Sequence, residues 1–314
     1  MIMDKHSKIY VAGHTGMVGS SLVRLLQKEG YTNIITRSSK ELDLTNQQEV
    51  NAFFKTETPD YVFLAAAKVG GIHANNSFGG DFIYINLMIQ TNVIHASKQF
   101  NVKKIVFLGS SCIYPKESQN PIKEEYLMTG FLEPTNKPYA IAKITGIEMC
   151  DAYRKQFGSN FVSAMPTNLS GPNDRYDLEN GHVFPVLIRK FYEAKIKKLP
   201  SVTLWGSGIA RREFLHVDDL ARGLMVVMEK YNEPGPINIG YGSDVSISEL
   251  AEMIREIVGY KGIIMYDTSM PDGTLKKLID SSKIRALGWK PAISLMDNIK
   301  LCVEDFIKNY NKYT

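Results

Sequence analysis

Hydrophobic residues in the first half of the chain follow two alternating patterns. Continuous apolar runs, typical of strands that are covered on both faces, lie at Ile9–Ala12, Tyr61–Ala66, Ile105–Leu108 and Phe161–Met165. Between these runs, apolar residues recur at helical spacing, most clearly in two long segments, Asp81–Phe100 and Tyr139–Phe157. This alternation predicts an α/β fold with a Rossmann-like, doubly wound parallel sheet.

The pattern changes in the second half. Asn168–Gly181 is rich in Asn, Gly, Asp and Pro, which predicts a loop, and helical spacing resumes over Val183–Lys197. The capping box Ser246-x-x-Glu249 predicts the start of another helix, and Leu295–Tyr310 has the pattern of a closing helix. The second half is therefore expected to be a smaller, mixed α/β unit.

Length and composition limit the possible functions. The 314 residues allow one large domain or two coupled domains, and the change of pattern after Pro166 predicts a first domain over 1–166, to which later segments return, and a second domain over 167–314. The formal net charge of +4 is mild and no block of Arg and Lys occurs, so nucleic acid is not an expected partner. No run of 18 apolar residues is present, and we expect a soluble protein without a membrane partner.

The cysteines are few and scattered. Cys112, Cys150 and Cys302 form no Cys-x-x-Cys motif, so neither a disulfide framework nor a metal site is expected. A sparse, odd set of cysteines is typical of a reducing compartment, which favours the cytoplasm.

A glycine motif follows the first predicted strand. Gly13, Gly16 and Gly19 stand between that strand and a helix, where glycines allow a tight turn and let backbone N–H groups approach a pyrophosphate. The spacing Gly-x-x-Gly-x-x-Gly differs from the usual dinucleotide fingerprint, and a simple tight turn is the alternative. Arg37 follows a second predicted strand, Asn33–Thr36, where an arginine suits the 2′-phosphate of NADP better than the ribose of NAD.

A candidate reduction site comes from three further residues. Tyr139 and Lys143 are one helical turn apart and share a face. An ammonium near a phenol favours the phenolate, so we expect Lys143 to lower the pKa of Tyr139 and make it a usable proton donor. Ser110 follows a buried strand, and ligands bind at the carboxyl ends of strands in such sheets. Together with the glycine motif, these residues predict a hydride-transfer site.

These residues and several longer stretches carry a resemblance to a known family. The set Gly13, Gly16, Gly19, Ser110, Tyr139 and Lys143 resembles the extended short-chain dehydrogenase/reductase superfamily. The segments "LAAAKVGGI" (64–72), "LGSSCIYPK" (108–116), "EPTNKPYAIAK" (133–143), "MPTNL" (165–169) and "REFLHVDD" (212–219) resemble GDP-L-fucose synthases.

The resemblance implies that 1–166 is an NADP-binding Rossmann domain and that 167–314 is mainly a nucleotide-sugar-binding domain. It also implies a two-stage reaction. GDP-4-keto-6-deoxy-D-mannose would be epimerised at C3 and C5, and its C4 ketone would then be reduced with NADPH to give GDP-L-fucose. The implied catalytic residues are Ser110, Tyr139, Lys143, Cys112 and His182. The implied contacts to the cofactor, NADPH or NADP, are Gly13, Thr15, Gly16, Met17, Val18, Gly19, Arg37, Leu108, Ser110, Tyr139, Lys143, Pro166, Asn168, Leu169 and His182. The implied contacts to the GDP-linked 4-keto sugar are Ser110, Ser111, Cys112, Asn168, Val183, Lys190, Trp205, Arg212 and Asp272.

Several alternatives stay open at this point. Taken alone, Cys112 could be a buried small hydrophobe, His182 a surface histidine, and Arg212 the partner of Glu213 or of the Asp218–Asp219 pair. The chain departs from the family at Thr15, at Ser170 and over 173–180, where it leads into His182. A dedicated C4-reductase acting on an already epimerised GDP-4-keto-heptose is therefore a second hypothesis, and a non-catalytic NADP-sensing protein is a third.

The same resemblance implies an assembly. Its members pack the two long helices predicted at Asp81–Phe100 and Tyr139–Phe157 against their copies, and we expect a homodimer.

Overall fold

The computed structural model describes residues 3–270 and 272–313. Its strands, numbered along the chain, are β1 (Ile9–Ala12), β2 (Ile34–Ile35), β3 (Tyr61–Leu64), β4 (Lys104–Leu108), β5 (Phe161–Pro166), β6 (Asn168–Ser170), β7 (Ser201–Trp205), β8 (Arg211–Arg212), β9 (Phe214–His216), β10 (Pro236–Ile239), β11 (Val245–Ser246), β12 (Ile263–Asp267) and β13 (Lys276–Lys277).

The α-helices cover both faces of the main sheet and the second half of the chain. They are α1 (Met17–Lys28), α2 (Gln47–Glu57), α3 (Ile72–Ser77), α4 (Gly79–Gln99), α5 (Lys137–Phe157), α6 (Val183–Ile196), α7 (Val217–Lys230), α8 (Ile247–Val258), α9 (Ser282–Ala286), α10 (Leu295–Lys308) and α11 (Tyr310–Tyr313). Short 3-10 helices lie at Ser111–Ile113, Glu124–Tyr126 and Pro134–Asn136.

The main sheet has six parallel strands in the order β10-β5-β4-β3-β1-β2. The chain builds outward from β1 in one direction to β2 and in the other to β3, β4 and β5. The order therefore reverses between β1 and β3, and such a point leaves a crevice for ligands at the carboxyl ends of the strands. The predicted fold class is confirmed.

Two apolar layers cover this sheet and a third forms the second unit. One face carries α1 and α7 over residues such as Val11 and Val106. The other face carries α2, α4 and α5 over residues such as Tyr10 and Phe107. A separate core lies between α6, α8 and α10, with Phe191 and Phe306 fully buried in it.

Several boundaries differ from the prediction by one or two residues, among them the end of β3 at Leu64 and the starts of α4 at Gly79 and α5 at Lys137. The loop expected over Asn168–Gly181 begins with the short strand β6, which pairs in parallel with β9, because backbone pairing to a distant segment overrides the local composition. The helix expected to run to Tyr310 ends at Lys308. The predicted capping box at Ser246 and Glu249 is present, with both of its hydrogen bonds.

Two further observations bear on the compartment and the membrane. Cys112, Cys150 and Cys302 are all free and buried. Within residues 3–270 and 272–313, no helix is long and apolar enough to cross a membrane.

Candidate active site

The glycine loop between β1 and α1 is closely packed at two of its three glycines. Gly13 has φ +85°, and a Cβ there would lie 2.7 Å from the backbone nitrogen of Ala66. A Cβ on Gly19 would lie 2.2 Å from the Gly13 carbonyl oxygen. At Gly16, by contrast, the nearest atom to a Cβ would be the Gly13 oxygen at 3.5 Å, an ordinary contact. Packing within the protein therefore explains the first and third glycines but not the second.

The start of α1 offers unpaired donors beside Gly16. Gly16 is the N-cap and has no side-chain capping bond, and the first turn contains no acidic residue. The N–H groups of Met17 and Val18 therefore point out of the helix end, where the dipole favours an anion. Thr15 lies in the same loop and is exposed. These features fit a pyrophosphate.

Arg37 already has partners within the protein. Its guanidinium donates to the Thr36 carbonyl oxygen at 2.7 Å and to Glu57 Oε1 at 2.5 Å. The neighbouring Ser38 donates its N–H and its hydroxyl to Glu41 Oε2, at 2.7 Å each. The two donors of Ser38 therefore already hold an anionic group. A role for Arg37 in reading a 2′-phosphate stays a prediction.

Ser110, Tyr139 and Lys143 meet at the carboxyl end of β4. Lys143 Nζ donates to the Leu108 carbonyl oxygen at 2.8 Å and lies 5.8 Å from the centre of the Tyr139 ring. The Ser110 hydroxyl faces the Tyr139 phenol and accepts the Cys112 N–H at 3.4 Å. The turn after β4 supplies Ser110 and α5 supplies the other two, so the predicted cluster forms.

The expected lowering of the Tyr139 pKa is wrong for the free protein. Burial raises the pKa of the phenol and outweighs the lowering that comes from its hydrogen bond with Ser110. Burial also lowers the pKa of Lys143 to about 8, because the ammonium is held among apolar side chains. Tyr139 is therefore protonated at neutral pH and has a proton to donate.

Cys112 lies in the 3-10 turn directly after Ser110. The side chains of Ser111 and Cys112 are both buried. Burial raises the pKa of the Cys112 thiol, while the charges of Lys277 and Lys143 and a hydrogen bond with Ser110 lower it. The thiol is buried against polar and charged groups of the site, and not only among hydrophobic residues.

His182 is the N-cap residue of α6. Its ring is accessible to solvent, yet protein surrounds it on most sides and desolvation lowers its pKa. A side chain that is accessible to solvent and still desolvated lines a cleft. A residue on an open surface would not be desolvated. The neutral imidazole can accept a proton at pH 7. Within the described residues, no hydrogen bond joins His182 to Cys112.

The divergent segment 173–180 is well anchored in front of His182. Asp177 Oδ1 accepts the N–H groups of Glu179 and Asn180, at 2.9 and 3.0 Å. The Asn180 carbonyl accepts the Gly71 N–H at 2.9 Å, and a Cβ on Gly71 would lie 2.4 Å from the Gly181 oxygen. The changed sequence therefore still holds this loop tightly against the segment after β3.

Ser170, the other divergent position, points away from the cleft. Its hydroxyl donates to Asn298 Oδ1 on α10 at 2.9 Å, and its side chain is fully buried. The substitution at this position changes packing beneath α10.

The groups expected to hold the nucleotide lie around the end of β7. Lys190 Nζ donates to the Thr203 carbonyl at 3.0 Å and lies 5.8 Å from the Trp205 ring, which is 54% exposed. Asp272 accepts the N–H and the hydroxyl of Ser207, at 2.7 and 2.8 Å. Asp272 therefore shapes the turn that follows Trp205, and an exposed indole is left free to stack on a base.

Arg212 makes no ion pair in the part of the chain that the structure describes, although the charges of Asp272 and Glu133 act on it at longer range. Its Nη1 donates to the Arg211 carbonyl at 2.8 Å. Glu213, fully buried, instead accepts the N–H of Gly242 at 2.5 Å, and the neighbouring acids pair with other arginines. The alternative of an ordinary salt bridge to Glu213 or to the Asp218–Asp219 pair is therefore wrong. An unpaired guanidinium fits a diphosphate.

The remaining predicted contacts lie beside this cluster. Pro166 ends β5, and Asn168 Nδ2 donates to the Glu213 carbonyl at 2.9 Å. Leu169 continues β6, and Val183 opens α6 next to His182. These four residues lie along the crevice at the carboxyl ends of the strands.

A model of the NAD dependent epimerase/dehydratase family matches residues 9–240. The chain belongs to this family. It is 55% identical over 308 residues to a putative GDP-L-fucose synthase of Arabidopsis thaliana, which covers 98% of this chain and 94% of that relative. It is 47% identical over 315 residues to GDP-L-fucose synthase of Escherichia coli K12, covering 98% of each. The resemblance to GDP-L-fucose synthases is confirmed.

A solved structure adds a second comparison. A GDP-mannoheptose C4 reductase from Campylobacter jejuni with NADP bound is 44% identical, with a TM-score of 0.89, covering 97% of this chain and 99% of that one. The fold of this epimerase/dehydratase family member is therefore shared with a protein named as a C4 reductase.

Sequence reasoning missed Lys277. It lies on β13, far along the chain from the motif that contains Cys112, and its charge acts on the Cys112 thiol. No motif distinguishes it from the neighbouring Lys276. The only sequence signal was its position five residues after Asp272.

Among the described residues, no cluster of three or more His, Cys, Asp or Glu side chains could hold a metal ion.

Proposed function

We propose that this chain is an NADPH-dependent epimerase–reductase that converts a GDP-4-keto-6-deoxy sugar, GDP-4-keto-6-deoxy-D-mannose, to GDP-L-fucose. The observation that carries the proposal is the meeting of Ser110, Tyr139, Lys143 and Cys112 at the end of β4. The near full-length similarity to GDP-L-fucose synthases supports the same substrate class.

The residues at the cofactor crevice suit a dinucleotide. Gly13, Gly16 and Gly19 bring backbone N–H groups to the pyrophosphate, and Arg37 lies at the end of β2, where the 2′-phosphate would be read. When bound, NADPH supplies the hydride that reduces the C4 ketone.

The protein supplies the proton for this reduction. Tyr139 donates its phenolic proton to the C4 oxygen as that oxygen gains negative charge, and Ser110 hydrogen-bonds the same oxygen. Lys143 places its ammonium near the Tyr139 ring. There it stabilises the phenolate that forms when Tyr139 gives up its proton.

Epimerisation uses the same ketone. Protons on C3 and C5 are α to the carbonyl, so removal of either gives an enolate whose oxygen is stabilised by Ser110 and Tyr139. Inversion requires one group to remove the proton and another to return a proton on the opposite face. Cys112 and His182 are suited to these two roles because they come from different elements, the turn after β4 and the start of α6.

The GDP portion is held by the groups around β7 and β8. Arg212 clamps the diphosphate with its unpaired guanidinium. Trp205 stacks on the guanine, while Lys190 and Asp272 border the same surface.

A dedicated C4-reductase is the second candidate. The similarity to a GDP-mannoheptose C4 reductase favours it. The two functions differ in one measurable step, exchange of the sugar protons α to the ketone.

The deciding experiment compares two substrates in heavy water. With GDP-4-keto-6-deoxy-mannose and NADPH, we expect deuterium at C3 and C5 and GDP-L-fucose as the product by NMR. Cys112→Ser should stop this exchange, while an already epimerised substrate should still be reduced because Tyr139 and Lys143 are unchanged. Little exchange in the wild type, with efficient reduction of a GDP-4-keto-heptose, would establish the dedicated reductase.

We further propose a homodimer in the cytoplasm. Tyr84 on α4 is 62% exposed, and Ile141 on α5 is also exposed, although both helices lie against the sheet with their other faces. A second copy would cover these apolar side chains. The three free cysteines suit a reducing compartment.

A further inference from the structure

Glu213 is a fully buried carboxylate between β8 and β9. No ion pair reaches it in residues 3–270 and 272–313. Backbone donors take the place of a cation: Oε1 accepts the Gly242 N–H at 2.5 Å, and Oε2 accepts the Ile279 N–H at 3.3 Å. A buried charge requires such partners. Gly240 leaves room for the carboxylate, because a Cβ there would lie 2.6 Å from Oε1.

The two donors belong to different sheets. Gly242 follows β10, the edge strand of the main sheet, and Ile279 follows β13, which pairs with β8 in the three-stranded sheet β11-β8-β13. The carboxylate of Glu213 therefore bridges the carboxyl end of the main sheet and the three-stranded sheet.

The backbone of Glu213 makes a further connection to the main sheet. Its carbonyl accepts Asn168 Nδ2 at 2.9 Å and the Thr167 hydroxyl at 3.4 Å. Thr167 follows β5 directly, and its N–H donates to the Ile239 carbonyl at the end of β10 at 3.1 Å. Side chain and backbone of this one residue thus hold the ends of β5, β10 and β13 together.

The two sheets carry different halves of the site. The main sheet and its helices carry the glycine loop, Ser110 and Tyr139. The three-stranded sheet carries Arg212, the clamp assigned to the diphosphate, directly before Glu213. The relative placement of the two sheets therefore sets where the sugar of a bound GDP-sugar lies with respect to Tyr139.

A carboxylate suits this junction better than an amide of the same size. Each of its oxygens accepts one backbone N–H. Glutamine has the same length but only one acceptor oxygen, so its NH₂ group would face one of the two N–H donors. Glu213→Gln should therefore open one of the two bonds with little change in volume.

We propose that Glu213 is a positioning residue for the reduction, whose carboxylate aligns the sheet that holds the GDP portion with the site of Ser110 and Tyr139. The proposal rests on the proposed function, in which Tyr139 donates a proton to the sugar ketone. A displacement of about 1 Å at the reacting atoms can slow a reaction by about 10²-fold. Binding of GDP alone or of NADPH alone uses only one half of the site and does not depend on this alignment.

The test separates binding from turnover. The dissociation constants of NADPH and of GDP are measured separately, and the rate of NADPH oxidation is followed in single turnovers with GDP-4-keto-6-deoxy-mannose and with a GDP-4-keto-heptose. We expect Glu213→Gln to slow oxidation by roughly 10- to 10²-fold with both dissociation constants unchanged.

Glu124→Gln is the matched control. Glu124 is also buried and also accepts a backbone N–H of β10, that of Asn238 at 3.0 Å, but its other partner is Lys283. This variant should lower the unfolding temperature and keep the wild-type rate of oxidation. If Glu213→Gln does not fold, Glu213→Asp takes its place, because it keeps both oxygens and withdraws them by one methylene.

Two results would overturn the proposal. A lower unfolding temperature with an unchanged rate of oxidation would make Glu213 a purely structural residue. A raised dissociation constant for GDP that accounts for the whole loss would show that Glu213 acts on Arg212 alone and not on the alignment. A wild type that reduces neither sugar would instead refute the proposed function, and this proposal would fail with it.

Discussion

Gly16 offers a test of whether the loop before α1 holds a dinucleotide. Its φ of −78° is open to any residue, and a Cβ there would meet only the Gly13 oxygen at 3.5 Å. Gly16→Ala is therefore compatible with the free protein, apart from a less favourable N-cap that costs up to about 1 kcal/mol. A methyl group at this position would, however, stand between the helix end and a bound pyrophosphate.

The expected loss can be worked out from the hydrogen bonds at risk. Met17 and Val18 offer two backbone N–H groups that no capping side chain uses. A hydrogen bond to a charged group contributes about 1.5–3 kcal/mol, so loss of both would weaken binding by roughly 3 kcal/mol or more. The dissociation constant for NADPH should then rise by about 10²-fold.

The assay pairs binding with unfolding. NADPH is titrated into wild type, Gly16→Ala and the control Gly80→Ala, whose new Cβ would meet nothing within 4 Å on α4. All three should unfold at similar temperatures, and only Gly16→Ala should lose affinity. Unchanged affinity in Gly16→Ala would refute the assignment of this loop to the pyrophosphate.

Four further predictions follow from the site. Tyr139→Phe should lower the rate of ketone reduction by ~10²–10⁴-fold with NADPH affinity unchanged, and turnover near the wild-type rate in stopped-flow assays would contradict its role as proton donor. Arg37→Ala should weaken NADPH far more than NADH, and equal losses by titration would show that Arg37 does not read the 2′-phosphate. The pKa of Lys143 is about 8, below its ordinary value, so its charge is lost as pH rises through that point; kcat/KM for reduction should fall above about pH 8, and a flat profile to pH 9 would argue against a need for the ammonium. Light scattering should give a dimer at micromolar concentration and Tyr84→Glu should weaken it, whereas a monomeric wild type would exclude the α4–α5 interface.

The parts of this molecule that sequence predicts best are those governed by local pattern. Continuous apolar runs located β1 and β3 because strands buried on both faces leave no polar positions, and Ser246 with Glu249 marked a helix start through bonds that span only three residues. Short strands such as β6 and β13 were missed because their pairing partners are distant in sequence. The local sequence pattern does not show which distant segment such a strand pairs with.

The site shows the same division. Tyr139 and Lys143 could be paired from their spacing on one helix, and the glycine loop from its place between a strand and a helix. The pKa of Tyr139 could not be predicted, because the burial that raises it depends on the whole cleft. Lys277 was missed for a related reason: its place opposite Arg212 comes from the register of β13 with β8, which no spacing in the sequence encodes.

The sixth strand of the main sheet also affects how the chain can be made. β5 ends at Pro166, but its neighbour β10 begins at Pro236, so about seventy residues are synthesised between the two. Until β10 arrives, a nascent chain exposes the edge of β5, a strand of six buried residues, and an uncovered apolar edge invites pairing with other chains. A fragment cut at Pro166, or a chimera joined there, would keep this open edge permanently. The first half of the chain alone therefore does not contain the complete main sheet. A fusion that is meant to keep this sheet intact should be joined after Ile239.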